Sequence, residues 1–169
     1  DAGETGAAGL GRFANVEGFG NQYVNGDFDG DGTPDFVCGA PGDDGGFGSI
    51  YVVNMTPVFG YRVPLIDLAE FNQPVPPTHD PDLPVPVMGV KLEGTATGTG
   101  LGQTVKPAGD FNGDGLADVL VALSSATVNG KAQAGKVILM FGKAGLVGDF
   151  LIDAVKGELG TQVPGMVFN

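Results

Sequence analysis

Two nine-residue stretches of the chain repeat one arrangement of oxygen-bearing side chains and glycine. They are Asp27-Phe28-Asp29-Gly30-Asp31-Gly32-Thr33-Pro34-Asp35 and Asp110-Phe111-Asn112-Gly113-Asp114-Gly115-Leu116-Ala117-Asp118. Positions 1, 3, 5 and 9 carry a carboxylate or a carboxamide, position 6 is glycine, and position 7 offers a main-chain carbonyl. Such a loop can surround a hard cation with about six to eight oxygens. Each stretch is therefore predicted to bind one calcium ion.

The candidate ligands are four side chains and one carbonyl in each loop. In the first loop they are Asp27, Asp29, Asp31, Asp35 and the carbonyl of Thr33; in the second they are Asp110, Asn112, Asp114, Asp118 and the carbonyl of Leu116. Calcium is favoured over magnesium because a flexible, carboxylate-rich loop suits the larger ion's higher coordination number. The first loop has one more carboxylate, so at equal rigidity it is predicted to bind calcium more tightly.

The residues after each loop exclude an EF-hand. That motif places a bidentate Glu at position 12 and then continues as a helix, whereas position 12 here is Cys38 or Val121. Both loops run instead into short apolar segments typical of buried strands. Taken alone, each loop could also be a solvated hairpin turn without metal. The recurrence of the same oxygens, the same glycine and the same following strand favours the metal loop.

These residues resemble the FG-GAP repeat, the blade motif of integrin α-subunit β-propellers. The first copy comprises Gly18-Phe19-Gly20, the loop from Gly26, Asp35-Phe36-Val37-Cys38-Gly39-Ala40-Pro41 and Gly48-Ser49-Ile50-Tyr51-Val52-Val53. The second runs from Leu101-Gly102 through its loop to Val121-Ala122 and Gly135-Lys136-Val137-Ile138-Leu139-Met140, with Leu123-Ser124-Ser125 in place of the Gly-Ala-Pro turn. The resemblance covers about half of the chain. It implies an all-β fold of two four-stranded antiparallel propeller-type blades, part of a larger propeller or repeat assembly.

Corresponding features of the two copies lie 83 to 87 residues apart, which predicts two long blades in tandem. Blade 1 is expected at about 18–70, with its fourth strand in 61–68, and blade 2 at about 87–155, opening with a strand at 89–92. The Pro-rich stretch 72–86 is expected to be a stiff connector. The inter-blade core is predicted to contain Val37, Ile50, Val52, Leu65, Val119, Val121, Ile138 and Met140.

Charge and composition exclude several classes of protein. A net charge of -12 with 8 Lys and Arg argues against nucleic-acid binding. The single cysteine, Cys38, allows no disulfide within the chain. The sequence has no apolar run long enough for a membrane span. Calcium loops of low affinity fill where calcium is plentiful, so an extracellular or cell-surface location is expected for what we take as a mature or excised segment.

The absence of common catalytic motifs from the sequence narrows the range of possible functions. There is one histidine and no Gly-x-Ser-x-Gly elbow, so an enzyme is not expected. The resemblance implies a calcium-stabilised structural or adhesion module. The alternative is a ligand- or glycan-binding propeller fragment of a larger cell-surface protein, or an ancillary domain of a secreted enzyme. Asn54-Met55-Thr56 is also a possible glycosylation sequon.

The two ends of the sequence suggest assembly with further copies. Residues 165–169 followed by 1–11 are similar to 89–102: an apolar strand, a loop of small residues, then Leu-Gly. Residues 163–169 are therefore expected to start a further blade or to be donated as a strand to a neighbour, giving a head-to-tail homo-oligomer or tandem array. A protein or glycan ligand is a further possible partner.

Overall fold

The described part of the chain forms β-strands arranged mainly in two antiparallel sheets, with almost no helix. The computed structural model describes residues 12–14, 23–55, 65–68, 71–72, 88–152 and 163–168. In chain order the strands are β1 (Arg12–Ala14), β2 (Tyr23–Gly26), β3 (Asp35–Ala40), β4 (Ser49–Val53), β5 (Leu65–Asp67), β6 (Gly89–Glu93), β7 (Thr104–Gly109), β8 (Asp118–Leu123), β9 (Lys136–Met140), β10 (Gly148–Leu151) and β11 (Gly165–Phe168). One short helix, α1 (Asp43–Gly46), lies between β3 and β4. The predicted all-β fold is confirmed.

The first sheet has five strands in the order β10-β6-β4-β3-β2, and the second has four in the order β11-β9-β8-β7. Within the first sheet, β2, β3, β4 and β6 are antiparallel, and β10 adds to the edge of β6 in parallel. All pairings in the second sheet are antiparallel. A separate two-stranded parallel sheet joins β1 and β5. Each antiparallel set of four is a blade of the expected kind.

The fourth strand of the first sheet differs from the prediction. The segment expected to supply it contains β5, which pairs with β1 instead. The fourth strand is β6, the segment predicted to open the second blade. Register explains the choice, because β6 places Leu92 opposite Ile50 and Val90 opposite Val52, so that all four apolar side chains are buried on one face.

The expectation that 163–169 is donated to a neighbour or starts a further blade is also wrong. In the structure β11 pairs with β9 of its own chain, with Met166 opposite Leu139 and Phe168 opposite Val137. It completes the second sheet as β6 completes the first. The physical reason is proximity: β9 has an open edge in the same chain, so the nearest partner is intramolecular. The predicted connector lies outside the described residues except for Asn72.

The main hydrophobic core lies between the two sheets. It joins both into one cluster that includes the predicted Val37, Ile50, Val52, Val119, Val121, Ile138 and Met140. These seven core predictions are confirmed; the side chain of Leu65 lies outside the described residues. A second cluster covers the opposite face of the first sheet, where Phe36, Cys38, Tyr51 and Val53 pack with Leu68 and Phe71. Both faces of the first sheet are therefore buried.

Glycine allows the close contact between the sheets at one end of this core. A Cβ built on Gly39 would lie 2.0 Å from the carbonyl oxygen of Gly102, nearer than any real Cβ contact. Gly39 belongs to β3 of the first sheet, and Gly102 lies just before β7 of the second. Any larger residue at position 39 would push the two backbones apart.

Neighbouring residues of β9 test the position of this core. Ile138 is buried between the sheets, whereas Val137 points to the other face and is partly exposed. Ile138→Ala should lower the free energy of unfolding by about 2 to 5 kcal/mol through lost burial and a cavity. Val137→Ala is the matched control and should change it by roughly 0.5 kcal/mol or less. Equal losses in denaturant titrations of both variants would contradict the assignment of the faces.

Candidate metal centres

Both predicted loops connect the first two strands of a sheet. The first joins β2 to β3 and the second joins β7 to β8, and in each pair the residue before the loop lies opposite the position 9 aspartate. The glycine at position 6 has a positive φ in both loops, 85° at Gly32 and 90° at Gly115. Other residues rarely adopt this conformation, so the glycine allows the sharp turn that the sequence spacing predicts.

The first aspartate of each loop holds the turn together. Asp27 accepts hydrogen bonds from the backbone N–H of Gly30 at 2.7 Å and of Gly32 at 3.0 Å. Asp110 does the same in the second loop, accepting from Gly113 at 2.8 Å and from Gly115 at 2.9 Å. Each carboxylate oxygen has lone pairs beyond the one used by an N–H group, so these bonds orient the side chain and leave it able to bind a cation.

The aspartate at position 5 accepts the same backbone hydrogen bond in both loops. Asp31 Oδ1 accepts from the N–H of Thr33 at 2.7 Å, and Asp114 Oδ1 accepts from the N–H of Leu116 at 2.8 Å. In the second loop the Asn112 side chain also donates to Asp114 Oδ2 at 2.8 Å. Both turns thus share the hydrogen bonds accepted at positions 1 and 5, and the carboxamide at position 3 adds one bond in the second loop.

The aspartate at position 9 is buried and joins three segments of each repeat. Asp35 Oδ2 accepts from the N–H of Phe28 at 2.9 Å, and its Oδ1 accepts from the N–H of Met55, just after β4, at 3.3 Å. Asp118 accepts in the same way from Phe111 at 2.7 Å and from Gly142, just after β9, at 2.9 Å. One side chain therefore ties the start of the loop to the end of the third strand.

The first loop brings three of its four carboxylates together. One oxygen each from Asp27, Asp29 and Asp35 lie within 4.8 Å of one another. Calcium binds oxygens at about 2.3 to 2.6 Å, so two ligands of one ion are separated by up to about 5 Å, and the group fits calcium. Asp31 is not part of this group. Among the described residues no other set of three acidic side chains lies this close, because the second loop has Asn112 where the first has Asp29.

Asn54, after β4, supports the first site in a way that sequence spacing did not reveal. Its side-chain Nδ2 donates to Asp29 Oδ2. The same nitrogen is the atom that a glycan would modify in the predicted sequon. In the structure it positions a candidate ligand.

The surroundings of the first loop disfavour negative charge. The pKa of Asp35 is raised to about 6, mainly by burial and also by the nearby Asp29 and Asp31 carboxylates, although hydrogen bonds from Phe28 and Met55 lower it. Burial also raises the pKa of Asp29, with Asp31 and Asp27 adding to the effect. A bound cation would relieve both the desolvation and the repulsion between like charges.

The start of the first loop contacts the second repeat through its backbone carbonyls. Those of Asp27 and Phe28 accept from the N–H groups of Ala117 at 2.8 Å and of Lys143 at 2.9 Å. The Phe28 side chain is buried in the core between the sheets. The central part of the first loop, Gly30 to Gly32, is exposed, as is the second loop from Asp110 to Gly115. The first candidate centre thus lies at the junction of the two sheets.

The sequence analysis did not predict three of these contacts, which are made by backbone N–H groups. Backbone donors such as Met55, Gly142 and Lys143 carry no side-chain signature. A signal did exist for two of them: Met55 and Gly142 each lie two residues beyond the strand that ends the motif in their repeat. Aligning the repeats on those strands would have placed both at equivalent positions.

Comparison with known proteins finds a matching segment in each of the two sheets. A model of the FG-GAP repeat matches residues 19–53 and 107–140. The first match contains β2 to β4 and the second runs from within β7 to the end of β9, so both contain the candidate metal loop. A search of curated proteins finds no match to the chain. No helix among the described segments is long and apolar enough to cross a membrane. The chain carries two FG-GAP repeats, one in each of its antiparallel sheets.

Proposed function

We propose that the chain is a calcium-stabilised structural or adhesion module that acts outside the cell and is not an enzyme. The observation that carries the proposal is the convergence of Asp27, Asp29 and Asp35 within 4.8 Å, in a loop whose first residues contact the second repeat. FG-GAP repeats are typical of extracellular or cell-surface proteins, where calcium is abundant.

In this proposal, bound calcium would make the first loop more rigid. The first loop contacts the second sheet through backbone carbonyls, which keep their position only while the loop keeps its shape. A cation shared by three carboxylates would hold that shape and remove the repulsion between them. The second loop, with three carboxylates and one carboxamide, would bind a second ion at the exposed side of the second sheet. Assembly through a donated β11 is not part of the proposal, since β11 pairs within its own sheet.

Calcium should raise the melting temperature, and each loop should account for part of the rise. A ligand at about 100 times its Kd adds about 2.7 kcal/mol, which is roughly 5 to 10 °C for a chain of this size. Asp29→Ala, which removes one of the three convergent carboxylates, and Asp114→Ala should each remove a share of the difference between calcium and chelator, measured by scanning calorimetry. Asp149→Ala, an exposed acidic residue outside both loops, is the control and should keep it. An unchanged difference in both loop variants would refute calcium binding.

The first loop should bind calcium more tightly than the second. It has four carboxylates against three, three of them converge, and its first residues are held against the second repeat. Calorimetric titration of metal-free protein should give two steps, and Asp114→Ala should remove the weaker one. Loss of the tighter step in this variant would reverse the assignment.

The stabilisation by calcium should depend on pH around the pKa of Asp35. Folding raises this pKa from 3.8 to about 6, so in metal-free protein the folded state holds more protons than the unfolded state between these values. The stability of the metal-free protein should therefore fall as pH rises through this window. Calcium must displace that proton, so the gain in melting temperature with calcium should be larger at pH 7 than at pH 5. Asp35→Asn should flatten the dependence; an equal gain at both pH values in the unmodified protein would contradict it.

A further inference from the structure

Four ionisable side chains meet on the face of the first sheet that points away from the second. Tyr51 of β4 is opposite Lys91 of β6, and Glu93 lies two residues beyond Lys91 on the same face. Asp43, at the start of α1, reaches this face from the connection between β3 and β4. None of the four belongs to a candidate metal loop. We call this set the Lys91 cluster.

The amine of Lys91 lies beside two carboxylates. Its Nζ is 3.5 Å from Asp43 Oδ2 and 2.8 Å from Glu93 Oε1. The side chains of Lys91 and Asp43 are 14% and 15% exposed, so the pair is mostly removed from water. Taking opposite charges out of water costs free energy that their attraction only partly returns. Moving one proton from the amine to the carboxylate removes both charges, and burial favours this neutral form, in which the amine is a nucleophile.

Tyr51 holds the carboxyl group of Asp43 in place. Its hydroxyl donates to Asp43 Oδ2 at 2.5 Å. The ring is 2% exposed, packs edge to face on Phe71, and lies 5.5 Å from Lys91 Nζ. Burial and the hydrogen bond to Asp43 raise the pKa of Tyr51, so the hydroxyl keeps its proton. A fixed donor at a carboxyl oxygen stabilises the negative charge that develops there when a nucleophile attacks the carbon.

The fold does not require these polar groups at this place. Tyr51 and Ile138 occupy the same position relative to the glycine that precedes β4 and β9. Ile138 is opposite Val167, so an apolar pair fills this register in the second sheet. The Lys91 cluster is therefore a feature of the first repeat alone, which points to chemistry rather than to packing.

We propose that Lys91 and Asp43 form an isopeptide bond, an amide between their side chains, with Glu93 and Tyr51 as catalytic residues. One proton passes from the ammonium group of Lys91 to Oδ1 of Asp43, which gives an amine and a carboxylic acid. The amine attacks the carboxyl carbon, and Tyr51 stabilises the negative charge on Oδ2. Glu93 takes a second proton from the nitrogen and returns it to the departing hydroxyl group. The C–Oδ1 bond breaks, the C–N bond forms, and one water leaves.

The reaction is a condensation, so it needs no cofactor, oxidant or further reactant. Reacting groups held in contact gain an effective concentration on the order of 10⁵ M or more, which favours a bond that the same groups do not form when free in water. The bond would fasten the connection between β3 and β4 to β6, the fourth strand of the first blade. It depends on the Lys91 cluster and not on calcium.

Intact mass spectrometry of the folded 169-residue chain tests the proposal. The mass should be lower than that calculated from the sequence by one water. Trypsin should leave the bond after Lys91 uncut and release residues 13–62 joined to 63–131, because trypsin does not cleave before Pro107. A chain of full calculated mass that gives separate peptides 13–62 and 63–91 would overturn the proposal.

Three variants identify the two residues that are joined. Lys91→Arg keeps the positive charge without a reactive amine, and Asp43→Ala removes the acceptor, so both should have their full calculated mass. Asp149→Ala is the matched control. Asp149 is opposite Lys91 in β10, but its Oδ1 accepts from Asn72, so this variant should still lose one water. A full mass in the control, or a lost water in Asp43→Ala, would place the bond elsewhere and overturn the assignment.

The rate of bond formation tests the two catalytic residues. It is followed as the fall in mass of chains translated in vitro and sampled over time. Glu93→Gln should slow the reaction by about 100-fold or more, because the proton acceptor is lost. Tyr51→Phe should slow it by about 100-fold, because the donor to Oδ2 is lost. Rates equal to that of the unmodified chain in both variants would refute these roles.

Discussion

A buried aspartate at the end of each candidate metal loop is the constraint on which the rest of the structure depends. Asp35 and Asp118 are almost fully buried, and each satisfies two backbone N–H groups from different segments. Such a group is costly to bury unless it is well paired, so it fixes the loop, the second strand and the end of the third strand relative to one another. The sheets can pack tightly because their ends are held in this way.

The sequence allowed the strands and the loops to be predicted because both are determined locally. Apolar alternation marks segments such as Ile50 to Val53, and the turn residues of the loops mark where the chain reverses. Sheet membership could not be read in the same way. Both β5 and β6 look like strands, and only the pairing of Val90 and Leu92 with distant partners decides which one completes the first sheet. Non-local register carries no local signal.

The sequence predicted which residues form the candidate site, but only part of their arrangement in space. Spacing identified all four acidic positions of the first loop, whereas the three-dimensional arrangement separates Asp31 from the three that converge. The contacts between this loop and the second sheet use main-chain atoms of Phe28, Ala117 and Lys143, which any residue could supply. Similar motifs therefore occupy different positions: the start of the first loop contacts the end of the second loop and the segment after β9, while Asp110 to Gly115 of the second loop face solvent.

The parallel strand β10 has a consequence for how the repeats can be exchanged. It lies after the third strand of the second repeat in sequence but belongs to the first sheet in space, where it pairs with β6 along four residues. Cutting the chain between Glu93 and Gly94 would separate the repeats in sequence and also remove a strand from the first sheet. The repeat in the sequence and the sheet in the structure are thus offset by one strand. Pulling the repeats apart must break a continuous ladder of hydrogen bonds, so they resist force as one body.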